Sequence, residues 1–217
     1  QWWDPLVQFG GYHGYWAENF AATDPHFGTV ATYQTLADAL HGRGMYLIQD
    51  IVANHTGNFF TYQGADGKSG YNAADPAAGV RFNTDSVPVA KPSQSPFDLN
   101  DPADPGQRAA AIYHWTPTII DGSDEEQELT YQLSDLDDLN TANPVVRDAL
   151  KQAYACWIKN VGVDGFRIDT VKYVEHAFWH DFEYGEDAEA PGMTAVAAGT
   201  GRDNFLTFGE SFVDSVP

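Results

Sequence analysis

A parallel α/β fold is what this sequence predicts, and three observations predict it. Two short apolar runs end in an acid: 166–168 leads to Asp169, and 205–208 leads to Glu210. An α/β barrel places its chemistry at such carboxyl ends of strands. Helical patterns alternate with these runs, in the order strand, insert, helix, strand, helix, strand, which suggests parallel pairing. The run 45–52 is nearly continuous in apolar residues, as in a strand buried on both faces.

The elements follow in order. Residues 29–44 read as a helix with Leu36, Ala39 and Leu40 on one face, stopped by Gly42 and Gly44. The strand 45–52 comes next. Residues 56 to about 135 are polar and rich in Gly, Pro, Asp and Ser, too long for a structureless loop in a compact domain. Gly64-Ala65-Asp66-Gly67 and the stretch from Asp101 to Gly106 are turn chemistry. An inserted subdomain is the better account.

A clear helix follows. Asn143 is its N-cap and Pro144 its first residue. Val146, Leu150, Ala153, Tyr154, Trp157 and Ile158 line its buried side, and Gly162 ends it. Arg167 and Asp169 then project to one side of a strand, because strand side chains repeat every second residue. The guanidinium favours an ionised Asp169 and lowers its pKa. Residues 171–182 read as an amphipathic helix, and a polar, Gly-containing insert at 184–203 precedes the last strand.

Composition narrows the function. The 217 residues, 43% hydrophobic and 14% aromatic, suit one globular domain. A formal charge of −20 argues against nucleic acid and favours a neutral substrate. The single cysteine, Cys156, excludes an intrachain disulfide and is expected to pack beside Trp157 and Ile158. No apolar run reaches membrane length. An ionised carboxylate held rigidly suits a covalent nucleophile. A carboxylate and a carboxylic acid flanking one bond are the apparatus of glycoside hydrolysis. Asp169 and Glu210 are the two candidates.

Five ordered motifs carry a resemblance. They are Gly11-Tyr12-His13-Gly14-Tyr15-Trp16, Asp50-Ile51-Val52-Ala53-Asn54-His55, Leu136-Asp137-Asp138-Leu139-Asn140, Gly162 to Lys172, and Phe208-Gly209-Glu210. Together they resemble the α-amylase family of glycoside hydrolases. The resemblance implies a partial (β/α)8 TIM barrel covering about the second to fifth strands, with residues 1–6 ending the second. It implies barrel parts at 1–55 and 139–217 and an inserted domain B at 56–138. The chain is then expected to be a piece of a longer, extracellular enzyme, monomeric when complete.

The resemblance also implies roles. Asp169 is the nucleophile, kept ionised and oriented by Arg167, and Glu210 the general acid/base, its pKa raised by burial. The family's third acid lies beyond the residues given. Tyr15 is similar to a stacking platform for the sugar, and His55 to a hydrogen-bond partner of it. Trp16 stands either in that wall or in the core. His13 either contacts sugar or holds its loop. Lys172 reaches the leaving-group side or is a solvated lysine. Calcium is the implied cofactor, held by Asn54, Asp138 and the backbone carbonyl of Tyr173. Asn19 stands where the family commonly has Asp. The expected substrate is an α-glucan such as starch or maltooligosaccharides, cleaved at α-1,4 bonds. An α-glucosidase, a glucanotransferase and a catalytically silent binding protein are the alternatives.

Overall fold

The computed structural model describes residues 1–4, 8–62, 70–84 and 89–211. In chain order the elements begin with β1 (Trp3–Asp4), β2 (Phe9–Gly10), α1 (Val30–His41) and β3 (Ile48–Val52). They continue with β4 (Phe60–Thr61), β5 (Arg81–Phe82), α2 (Pro105–Ala110), α3 (Glu125–Thr130) and α4 (Pro144–Cys156). The last are β6 (Gly165–Asp169), α5 (His176–Tyr184), α6 (Met193–Ala198) and β7 (Leu206–Gly209). Two compact units divide the chain, 1–19 with 54–146 and 20–53 with 147–217.

The second unit carries the parallel sheet, in the order β3-β6-β7. Ile48, Gly165 and Leu206 share one row of the register, and Val52 faces Asp169. The described residues form no closed barrel. α4 forms as its sequence predicts. The Asn143 side-chain oxygen accepts the Val145 N–H at 3.0 Å, an N-cap bond. Leu150, Ala153, Tyr154, Trp157 and Ile158 are all buried, and so is Val146. The helix runs on as a π-turn over Trp157–Val161, and Gly162, at φ 84, takes the left-handed conformation that ends it. Tyr154 Oη donates to the Val52 carbonyl and accepts the Val52 N–H, so α4 grips β3 at its carboxyl end. At the opposite ends, the Asp164 carboxylate accepts bonds from Leu47 N–H and Arg202 Nε and pairs with His41. The strands are thus tied at both ends, which fixes the residues they carry.

The first unit has two short antiparallel pairs, β1 with β2 and β4 with β5. Its core is aromatic: Phe60 lies 5.5 Å from Tyr113 and 5.0 Å from Trp115. Asp137, wholly buried, accepts the backbone N–H groups of Phe59 and Phe60 at 3.0 and 3.4 Å.

Several expectations need correction. Within the segment expected to end the second barrel strand, Trp3–Asp4 pairs antiparallel with Phe9–Gly10, outside the parallel sheet. Pro5, Leu6 and the Gly64-to-Gly67 turn lie outside the described residues. α1 buries Ala37, while Leu36 is 49% exposed and Ala39 is exposed too. β3 is not buried on both faces, since Ile48 and Asp50 are exposed and only Ile51 and Val52 are covered. The helix expected at 171–182 begins as a 3-10 turn, Val171–Tyr173, and becomes α-helical at His176. The 184–203 insert contains α6, whose Met193, Val196 and Ala197 are buried. Cys156 is exposed rather than packed, because it lies on the outer face of α4. Among the described residues no helix is long and apolar enough to cross a membrane.

Candidate active site

β6 delivers Arg167 and Asp169 to one side of the sheet, β3 brings Asp50 opposite Arg167, and Glu210 follows β7. Glu210 is held by its own backbone, whose N–H donates to the Ile168 carbonyl at 2.8 Å. A Cβ on Gly209 would lie 2.6 Å from the Val171 side chain, so only glycine lets β7 approach here.

One guanidinium joins three carboxylates. Arg167 Nη1 donates to Asp50 Oδ1 and Oδ2 at 2.9 and 3.1 Å, and to Asp169 Oδ1 at 3.3 Å. Its Nη2 contacts Glu210 Oε2. Burial works against the Arg167 charge, but the bonds and charges of Asp50 and Glu210 hold its pKa above the ordinary value. Asp169 reverses the sequence expectation. Its carboxyl is half-buried, and that desolvation raises its pKa. Arg167 pulls the other way, while the Asp50 charge and the Glu210 carboxylate, as an acceptor, push upward, and the net shift is up. Glu210 is not deeply buried; its side chain is 33% exposed. Asp50 is the residue that sequence reasoning passed over. Its signal was available: the alternation that aligned Arg167 with Asp169 also places an acid on the neighbouring strand.

The remaining candidates are placed as follows. Lys172 lies in the 3-10 turn after β6, its Nζ 5.1 Å from the centre of the Tyr173 ring. His13, Tyr15, Trp16, His55, Asn54 and Asp138 belong to the other unit. His13 stacks on Tyr15 at 5.7 Å and meets Trp16 edge to face at 4.7 Å. Its Nδ1 accepts the Tyr15 N–H at 3.1 Å. His55 is fully buried, and desolvation lowers its pKa to about 4 against the opposing backbone of Tyr15. That imidazole is neutral at physiological pH.

Asn54 and Asp138 are adjacent and both buried. His55 bridges antiparallel to Asp138, and the Asn54 carbonyl accepts the Leu139 N–H at 2.9 Å. Asp138 Oδ2 pairs with His114 Nδ1 at 2.6 Å. An amide oxygen and a carboxylate are hard donors of the kind calcium takes. A ligating carboxylate is ordinarily hydrogen-bonded on its outer side, as His114 does here. The pair therefore fits a hard cation, while supplying only part of its shell. Among the described residues no group of three or more His, Cys, Asp or Glu is arranged to hold a metal.

Comparison with known proteins accords with this geometry. The chain is 34% identical to an α-amylase from Streptomyces lividans, over 93% of this chain and 23% of that protein. It is 31% identical to a cyclomaltodextrin glucanotransferase from Geobacillus stearothermophilus, over 75% of this chain and 19% of that one. In structure it resembles the α-amylase of Geobacillus thermoleovorans complexed with acarbose, with a TM-score of 0.65 and 30% identity. That match covers 95% of this chain and 34% of the other, so the chain spans a minor share of its relatives' length. The family "alpha amylase, catalytic domain", whose fold is a (β/α)8 barrel, matches residues 2–210, and the chain belongs to it.

Proposed function

We infer that this chain carries the nucleophile and the acid/base of a retaining α-glucan hydrolase acting on α-1,4 bonds of starch or maltooligosaccharides. The observation that carries the reading is the single guanidinium joining Asp169 to Glu210 at adjacent strand ends. Asp169 attacks the anomeric carbon while Glu210 gives its proton to the leaving oxygen. Glu210 then takes a proton from a water that attacks the anomeric carbon, and the carbon–oxygen bond to Asp169 breaks, freeing the sugar and both carboxyls.

Retention needs about 5–5.5 Å between the carboxyls. Asp169 and Glu210 are held on the two Nη groups of one Arg167 guanidinium, which sets both carboxyls at the same end of the sheet. NMR of the first product formed from a maltooligosaccharide by the full-length protein tests retention: the α-anomer is expected. A β-anomer as first product sinks the mechanism.

The glucanotransferase relative supports a second reading, in which the same covalent step is completed by a sugar hydroxyl rather than water. Cyclic or lengthened products separate it from hydrolysis. Retention of both carboxylates beside Arg167 counts against a silent binding protein. Calcium at Asn54 and Asp138 belongs to the same reading, and pins the residue 56–138 insert to the rest. Because a ligand of the folded state alone stabilises it, chelation is expected to lower the melting temperature, and added calcium to restore it. Asp138→Ala is expected to abolish that response. A melting curve indifferent to chelator counts against the site.

A further inference from the structure

Asp164, the residue before β6, is bonded to both neighbouring strands through its backbone and its side chain. Its N–H donates to the Leu47 carbonyl at 2.8 Å, and its carbonyl accepts the Leu206 N–H at 3.3 Å. It thus stands at the head of both ladders of the β3-β6-β7 sheet. Its carboxylate, 14% exposed, repeats the pattern. Oδ2 accepts the Leu47 N–H at 2.8 Å and meets His41 Nε2 at 2.8 Å, while Oδ1 accepts Arg202 Nε at 3.2 Å. Burial works against its charge, but the Leu47, His41 and Arg202 bonds hold its pKa below the ordinary value.

Arg202 is itself held on every side. Nη2 donates to the Gly162 carbonyl at 3.0 Å, and Nη1 to Thr200 Oγ1 at 3.0 Å. A Cβ on Gly162 would lie 2.7 Å from Nη2, so the guanidinium fills the space that glycine leaves after the π-turn. These residues belong to the second unit, as do Asp50, Arg167, Asp169 and Glu210. Arg202 stands four residues before Leu206, and Glu210 four after it.

Ladder bonds are chemically alike in every register, so side-chain contacts must select one. Arg167 and Asp169 share β6, and their spacing is set within that strand. Glu210 reaches Arg167 from the neighbouring strand, so its place depends on how β7 lies along β6. We propose that Asp164 and Arg202 form a register clamp, two positioning residues that hold β7 along β6 so that Glu210 meets Arg167 at the far end of the sheet. The clamp rests on the acid/base reading of Glu210 above. Five residues of strand, roughly 17 Å, separate Asp164 from Asp169, so the clamp acts through strand alignment and not through the reacting atoms.

The test uses the full-length protein and two substrates, starch and a maltosyl fluoride, whose leaving group needs no protonation. Arg202→Ala is expected to lower kcat on starch about 10- to 100-fold, the scale of misplacing a catalytic group by an ångström, with first-turnover fluoride release within about twofold of the parent. Arg202→Lys, which still offers Asp164 a donor, is expected to recover part of the starch rate. His41→Ala loosens only the β3 side and is expected to keep the parent's ratio of the two rates. Circular dichroism and assays below each variant's melting temperature separate folding from alignment. Equal losses by Arg202→Ala on both substrates mean that the bond only stabilises this end of the sheet, and overturn the clamp. A His41→Ala ratio as low as that of Arg202→Ala overturns it too. Glu210→Gln is the reference. If it splits the two substrates and Arg202→Ala does not, the clamp alone falls; if Glu210→Gln slows both alike, the acid/base reading falls and takes the clamp with it.

Discussion

Asp169→Asn and Glu210→Gln in the full-length protein are each expected to cut turnover of starch by at least about 10³-fold with the fold intact. Each change keeps shape and removes the charge or the proton the step requires. The two losses differ in kind. A glucosyl fluoride has a leaving group that needs no protonation, so Glu210→Gln is expected to recover much of its first step on it. Asp169→Asn is expected to recover nothing, because no carbon–oxygen bond forms without a nucleophile. Circular dichroism and assays on both substrates decide it. Equal recovery by the two variants means that the roles are misassigned.

The largest expected change in stability is at Asp137. Its carboxylate is wholly buried and accepts the Phe59 and Phe60 N–H groups. Asp137→Ala leaves those donors without a partner in an aromatic core, at a cost of about 2–4 kcal/mol. Burial pushes its pKa well above the usual range, opposed by the two N–H bonds and aided by the charges of Asp4 and Asp135. A carboxyl raised in the folded state contributes stability that is full below its unfolded pKa. That contribution is lost as pH rises through the folded one. Asp137→Asn keeps an acceptor and carries no charge. It is expected to stay folded and to lose less stability than the parent between mildly acidic and alkaline pH. Melting curves across that range test it, and parallel curves for parent and variant refute it.

What was legible in the sequence follows from period and punctuation. α4 was readable because its cap, its apolar spacing and its closing glycine agree, and every residue placed on its inner side is buried. Arg167 and Asp169 were readable because alternation fixes which side chains share a face. α6 was not, because a six-residue helix of small residues between glycines carries no resolvable period. The buried side of α1 was misjudged because spacing tells which residues align, not which of them the neighbours cover. The Asp169 shift was misjudged for a related reason. A charge partner two residues away is visible in a sequence, but desolvation depends on what closes over the group from elsewhere in the chain.

The strand that carries Asp169 is followed by Thr170, a β-branched residue held at φ 53. Such a residue is a steric outlier there, at roughly 1–3 kcal/mol. Its hydroxyl is buried without a hydrogen-bond partner among the described residues, so the side chain does not offset the strain. This sets stability against aim. A sequence selected or engineered only for sturdiness would drift to glycine or asparagine at this position, where the same backbone is relaxed. The residue it gave up would be the one that stiffens the turn directly behind Asp169. A more heat-resistant relative with glycine here would gain tolerance to temperature by letting the carboxylate at the end of β6 wander.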